Sequence, residues 1–268
     1  MANSTKVAFL GIGAMGLPMA GRILAAGYPL SVWNRTPGRA DPLGLSGAQV
    51  AATPADAVRD ADVVITMLAD PGAVLEVVTE IAPTLRPGSF LIEMSTIGPA
   101  AVRTVAGLLP EGVTLIDAPV MGSADRAATG ELVVLVGGEA DPVQPLLELF
   151  GTVRRTGETG SGAALKIVLI SAVVAGVTAI GEAMALADQF GLPQELVVSA
   201  MTASPLAGIA GRAFAQQSSF AIRLAAKDVA LATNAADLPL ARAVYERLTA
   251  FPEAQDEDLA QLVKYIRG

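Results

Sequence analysis

Six short apolar runs punctuate the first 155 residues: Val7–Leu10, Leu30–Trp33, Val63–Met67, Phe90–Met94, Thr114–Asp117 and Leu132–Val136. They are rich in Val, Ile and Leu and are bounded by Gly, Pro or Asp, which predicts strands buried on both faces rather than half-exposed ones. Between them, apolar positions recur at the helical period over 16–26, 54–59, 71–82, 98–109 and 141–150. Strand alternating with helix at this interval implies a mostly parallel sheet covered by helices on both faces. From about residue 161 the pattern changes. Helical spacing dominates over 162–190, 193–202, 205–216, 220–235, 238–249 and 256–267, with no persuasive strand. The glycine-rich stretch Gly157-Glu158-Thr159-Gly160-Ser161-Gly162 marks the junction. The chain therefore reads as an α/β domain over 1–160 and an all-α domain over 161–268 built around a long central helix.

The first apolar run breaks into Gly11-Ile12-Gly13-Ala14-Met15-Gly16 and continues as a helix, the strand, turn and helix N-terminus of a dinucleotide-binding unit. Gly11 permits the tight turn, Gly13 lets a pyrophosphate approach the backbone, and Gly16 lets helix and strand close on each other. The free amides of the first helical turn, around Ala14 and Met15, face the phosphate charge. The next strand, Tyr28 to Trp33, ends in Asn34-Arg35-Thr36, at the place where such folds read the adenosine ribose. A carboxylate there would accept hydrogen bonds from a free 2′-hydroxyl. Asn34, Arg35 and Thr36 supply donors instead, which favours NADP(H) over NAD(H), with Arg35 pairing the 2′-phosphate. Met67-Leu68-Ala69 and Ser95-Thr96 follow the third and fourth core strands, where loops run beneath the cofactor riboses.

Composition narrows the chemistry. The 268 residues are 52% hydrophobic and only 16% charged, with a mean hydropathy of +0.53, so further apolar surface is expected to lie in a subunit interface. A net charge of −8 without a basic cluster argues against nucleic-acid backbones as partners. With no cysteine there is no disulfide, thiolate nucleophile or cysteine zinc site; with no histidine the usual general base and commonest metal ligand are absent too. No metal is expected, and proton transfer falls to Lys, Tyr, Asp, Glu or water. The N-terminal apolar stretch carries the glycine turn and lacks a cleavage-site pattern, so a cytoplasmic enzyme is expected. The run Ile167 to Gly181 is shorter than the about 20 residues a membrane span needs and reads as a buried helix.

Four motifs then stand in order: Gly11-Ile-Gly-Ala-Met-Gly with Trp33-Asn-Arg-Thr, Asp117-Ala-Pro-Val-Met-Gly-Ser, Gly160-Ser-Gly-Ala-Ala-Leu-Lys166, and Leu224-Ala-Ala-Lys-Asp228. Together they resemble the signatures of the β-hydroxyacid dehydrogenases, which include 3-hydroxyisobutyrate dehydrogenases and semialdehyde reductases, with imine reductases as relatives. The resemblance covers nearly the whole chain. It implies an N-terminal Rossmann domain, an all-helical C-terminal domain, and a homodimer or homotetramer acting on a small molecule. Lys166, near the start of the apolar helix, is suited to exchange a proton with substrate, and the resemblance makes it the catalytic residue. The resemblance also assigns Lys227 to the cofactor and Asp228 to the substrate site.

The sequence departs from the family in two places. Where relatives hold the substrate carboxylate with Ser-Gly-Gly, this chain has Met121-Gly122-Ser123; where they carry Asn four residues after the lysine, it has Ile170. Ser95, Met121, Gly122, Ser123, Ile170 and Asp228 are thus the expected substrate residues, in a pocket less polar than the family's. A hydroxy-acid or semialdehyde oxidoreductase leads, imine reduction follows, and a non-catalytic cofactor sensor comes third because sensing needs no proton donor.

Overall fold

The computed structural model describes residues 4–215 and 219–268. The chain divides into two compact units, Met1–Lys166 and Ile167–Gly268. In the first, nine strands form one sheet among the described residues: β1 (Val7–Leu10), β2 (Leu30–Trp33), β3 (Gln49–Val50), β4 (Val63–Thr66), β5 (Phe90–Glu93), β6 (Thr114–Asp117), β7 (Val120–Met121), β8 (Leu132–Gly137) and β9 (Gly151–Gly157). The order runs β3-β2-β1-β4-β5-β6-β8-β7, with β9 on β8, and β3 through β6 are parallel throughout. β8 runs antiparallel to β6 and β7 and parallel to β9. Strand order reverses between β1 and β4, the switch point at which a doubly wound sheet opens a crevice for ligand.

The apolar runs are continuous because each strand is covered twice. Along β1, Val7 and Phe9 enter one core while Ala8 and Leu10 enter the other; along β4, Val63 and Ile65 face one and Val64 the other. Flanking helices begin where the sequence supplies caps. Thr53 accepts the Asp56 N–H at 3.1 Å ahead of Pro54–Val58, and Asp70 accepts the Ala73 N–H at 2.9 Å ahead of Pro71–Ile81, each with proline in the first turn.

The expected helix over 141–150 is instead a 3-10 turn, Asp141–Val143, and a single α turn, Gln144–Leu147, because Pro142 and Pro145 interrupt it. The span 256–267 likewise splits into a 3-10 turn, Leu259–Gln261, and Leu262–Arg267. β3, β7 and β9 escape the apolar pattern: two are only two residues long, and β9, with Arg154 and Arg155 exposed, alternates at the sheet's edge.

The second unit is helical. The long helix Ser161–Gln189 contributes Ile170, Val174, Val177, Ile180 and Met184 to its core, packed with Ile222, Val229, Leu248 and Leu262. Gln194–Thr202, Ala207–Ala213, Ile222–Ala235 and Pro239–Thr249 complete the layer; residue 216, the end of the expected helix 205–216, lies outside the described residues. At 29 residues, with an 18-residue window of mean hydropathy 2.3, the long helix is sufficient in length and composition to cross a membrane, so the brevity of Ile167 to Gly181 does not decide the matter. What it does here is supply the apolar spine of this core.

Candidate active site

The glycine turn sits at the switch point and is shaped by its neighbours. Gly11 has φ +105°, and a Cβ there would collide with the Met67 carbonyl on the loop after β4. A Cβ on Gly16 would strike the Gly11 carbonyl. Gly13 differs: nothing lies within 4 Å of its missing side chain, and it and Ala14 are exposed. No protein atom requires glycine at 13, so the space it leaves is room for a ligand against the backbone. The helix Gly16–Ala25 begins beside it with no side-chain cap and no acidic residue in its first turn, so its positive end is not neutralised locally. The donor set and the open backbone fit a dinucleotide pyrophosphate.

Asn34 works inside this turn. Its carboxamide oxygen accepts the Ile12 N–H at 2.9 Å and its nitrogen donates to the Thr36 carbonyl at 3.0 Å, fixing the end of β2 to the glycine loop. Arg35 and Thr36 are exposed on the bend that follows, and so is Arg39, which sequence reasoning passed over. Its signal was available: a second arginine in the same short Pro-Gly turn.

Ser95 and Thr96 follow β5. Ser95, 3% exposed, accepts the Leu68 N–H on its hydroxyl at 2.8 Å, so the loop after β4 and the loop after β5 are bonded to each other. Beneath them lies Glu93, unremarked in the sequence because it reads as the polar end of an apolar strand. Its carboxylate accepts from Thr66 and, at 2.6 Å, from the Ser95 N–H.

Asp117 ends β6, fully buried, and accepts the backbone N–H groups of Gly160 and Ala163, each at 2.6 Å. It thereby caps the long helix from 43 residues upstream, satisfying amides that the local sequence leaves open. Burial pushes its carboxyl above the ordinary range, and the backbone donors offset part of that rise. One and a half turns into the helix, Lys166 is buried, 8% exposed; its amine donates to the Val120 carbonyl at 2.8 Å and stands 3.5 Å from the Met121 thioether. Asp117 and Lys166 thus bind opposite ends of one arrangement, the end of β6 to the helix start and the helix back to β7. Gly122, φ +138°, and Ser123, which precedes the helix Ala124–Thr129 without capping it, follow β7.

In the second unit, Ile170 follows Lys166 by four residues and packs in the apolar core. Lys227 and Asp228 form an ion pair at 2.8 Å on the helix Ile222–Ala235, with Asp228 only 2% exposed, on the buried face of that helix. No cluster of metal-binding side chains occurs among the described residues.

Comparison with known proteins agrees with this architecture. The NAD binding domain of 6-phosphogluconate dehydrogenase matches residues 6–160. The chain is 33% identical to an NAD-dependent L-serine dehydrogenase of Pseudomonas aeruginosa, covering 86% of this chain and 85% of that one, and 33% identical to human mitochondrial 3-hydroxyisobutyrate dehydrogenase, covering 88% and 77%. A solved structure of Mycobacterium tuberculosis 3-hydroxyisobutyrate dehydrogenase with L-serine superposes with a TM-score of 0.87 at 28% identity, over 99% of this chain and all of that one. A nicotinamide-dinucleotide fold matched over more than half the chain, continued by a helical part that the relatives share, places this chain in the β-hydroxyacid dehydrogenase family of oxidoreductases.

Proposed function

We propose that the protein is an NADP(H)-dependent oxidoreductase of a small β-hydroxy acid or the matching semialdehyde-type carbonyl, with Lys166 exchanging the substrate's proton. A bound nicotinamide supplies or takes the hydride; the chain's own groups do the rest. The observation that carries the reading is the placement of Lys166: a buried amine, held by the carbonyl of Val120 on β7, three residues past the C-terminal end of the parallel strand β6. An amine so fixed donates a proton to an oxygen gaining charge and recovers it in reverse, which no histidine is present to do. The turn at Gly13 and the uncapped helix behind it bind pyrophosphate, Arg35 with Arg39 beside it favours a 2′-phosphate, and Leu68, Ala69 and Thr96 line the ribose side. Lys227 belongs to the cofactor side of the reading.

Substrate is met on the first unit by Gly122 and Ser123 as amide and hydroxyl donors and by Met121 as an apolar wall. Met121 and Ile170, which stand where the family carries polar residues, favour substrates with fewer polar groups than 3-hydroxyisobutyrate. The same loss of polar groups favours imine reduction as the second reading, since a simple cyclic imine has no carboxylate for them to hold.

A substrate panel with NADPH, containing glyoxylate, succinic semialdehyde, methylmalonate semialdehyde and cyclic imines, tests both, run on wild type and Lys166→Met. Turnover of a semialdehyde is expected to fall about 10²- to 10⁴-fold in the variant, with coenzyme affinity nearly unchanged. Undiminished turnover removes Lys166 from the chemistry, and turnover of imines alone replaces the first reading with the second.

A further inference from the structure

At the C-terminal rim of the sheet, Leu10, Thr66, Glu93 and Asp117 stand in register on β1, β4, β5 and β6. Partners in a parallel register point to the same face, so this is one row, apolar at Leu10 and polar at the next three. All four are buried, Glu93 at 1% exposure. Polar side chains in such a place are costly unless they satisfy donors that would otherwise be stranded. Asp117 does so for the long helix. Glu93 does so for two loops.

One oxygen of Glu93 accepts from Thr66, the last residue of β4, and the other accepts the Ser95 N–H at 2.6 Å. Ser95 accepts the Leu68 N–H on its hydroxyl at 2.8 Å, and Leu68 lies two residues beyond Thr66. The bonds therefore close a ring, Thr66 to Glu93 to Ser95 to Leu68 and back along the chain. The Met67 carbonyl inside that ring is the atom against which Gly11 is packed, so the ring also supports the glycine turn. A leucine or methionine at 93 would fill the same volume and leave the Ser95 amide without its acceptor.

We propose that Glu93 is a positioning residue for the dinucleotide, a carboxylate that ties the loops 67–69 and 95–96 into one rigid floor without itself touching the cofactor. The proposal rests on the reading that these loops hold the cofactor. Its physical basis is preorganisation: loops already fixed in the binding geometry lose less entropy when ligand arrives.

Amide hydrogen exchange on the full-length, cofactor-free protein, paired with calorimetric titration of NADPH, tests it on Glu93→Gln and on the milder Glu93→Asp. In Glu93→Gln, exchange at Ser95 and Leu68 is expected to quicken about tenfold while the helix Gly16–Ala25 and the second unit keep wild-type protection, and the dissociation constant for NADPH to rise about tenfold. The rise in KM for NADPH should exceed any fall in kcat. Adding Ser95→Ala should weaken binding little further, because both changes open the same ring. Unchanged exchange at Leu68 overturns the clamp, as does a loss of protection spread evenly over the first unit, which marks plain destabilisation. Failure of the wild type to bind dinucleotide overturns the cofactor reading itself, whatever the exchange shows.

Discussion

Arg35 stands exposed at the end of β2, and no carboxylate among the described residues forms an ion pair with it. A 2′-phosphate would gain a charge-assisted pair there that a free hydroxyl cannot. Arg35→Ala is expected to raise KM for NADPH about 10- to 100-fold while changing that for NADH by less than about twofold. Steady-state kinetics with both coenzymes decide this, and equal effects dismiss Arg35 from phosphate recognition. At this scale the sequence was legible wherever spacing carries the meaning: the three glycines are separated as a turn onto a helix requires. It was opaque where meaning lies in a side chain's partner. Asn34 looks in sequence like a ligand contact, yet both ends of its carboxamide hold backbone, at Ile12 and Thr36. Glu93 and Asp117 look like polar strand ends. Their roles depend on amides 2 and 43 residues away, which no periodicity reports.

The long helix shows the same division one level up. Its apolar content announces it, but its first turn is capped from β6 rather than from its own sequence. Asp117→Asn keeps the size and one acceptor while facing an amide donor with another donor, so a loss of about 1–3 kcal/mol, or several degrees in Tm, is expected. The pH dependence has a definite sign. Because the folded protein holds this carboxyl above its ordinary value of 3.8, the native state binds the proton more tightly than the unfolded chain does. Stability from this group is therefore fully present below 3.8 and declines as pH rises toward the elevated value. The wild type's advantage in Tm over Asp117→Asn should narrow as pH rises above 3.8 in thermal melts; an advantage that widens refutes the assignment. Elements the sequence misjudged fail for local reasons, proline at 142 and 145, or an edge strand of exposed arginines at β9.

For the whole molecule the outstanding quantity is apolar surface. Val168, Leu186, Phe190 and Leu196 are 64%, 54%, 69% and 58% exposed, in a chain with 16% charged residues. Large apolar side chains left in water at this density are what a subunit interface covers. Light scattering is expected to give a mass of two or four chains of 27.2 kDa, with Leu186→Glu shifting it toward one; a wild type that scatters as a single chain contradicts this. A separate consequence comes from the end of β2. The carbonyl that receives the Gly11 amide at 2.9 Å belongs to Trp33, the sole tryptophan of the chain, next to Asn34. The molecule thus carries its own optical probe: indole emission overlaps the absorbance of a dihydronicotinamide, so coenzyme loading, release and exchange can be followed in real time without a label and without interference from any other indole.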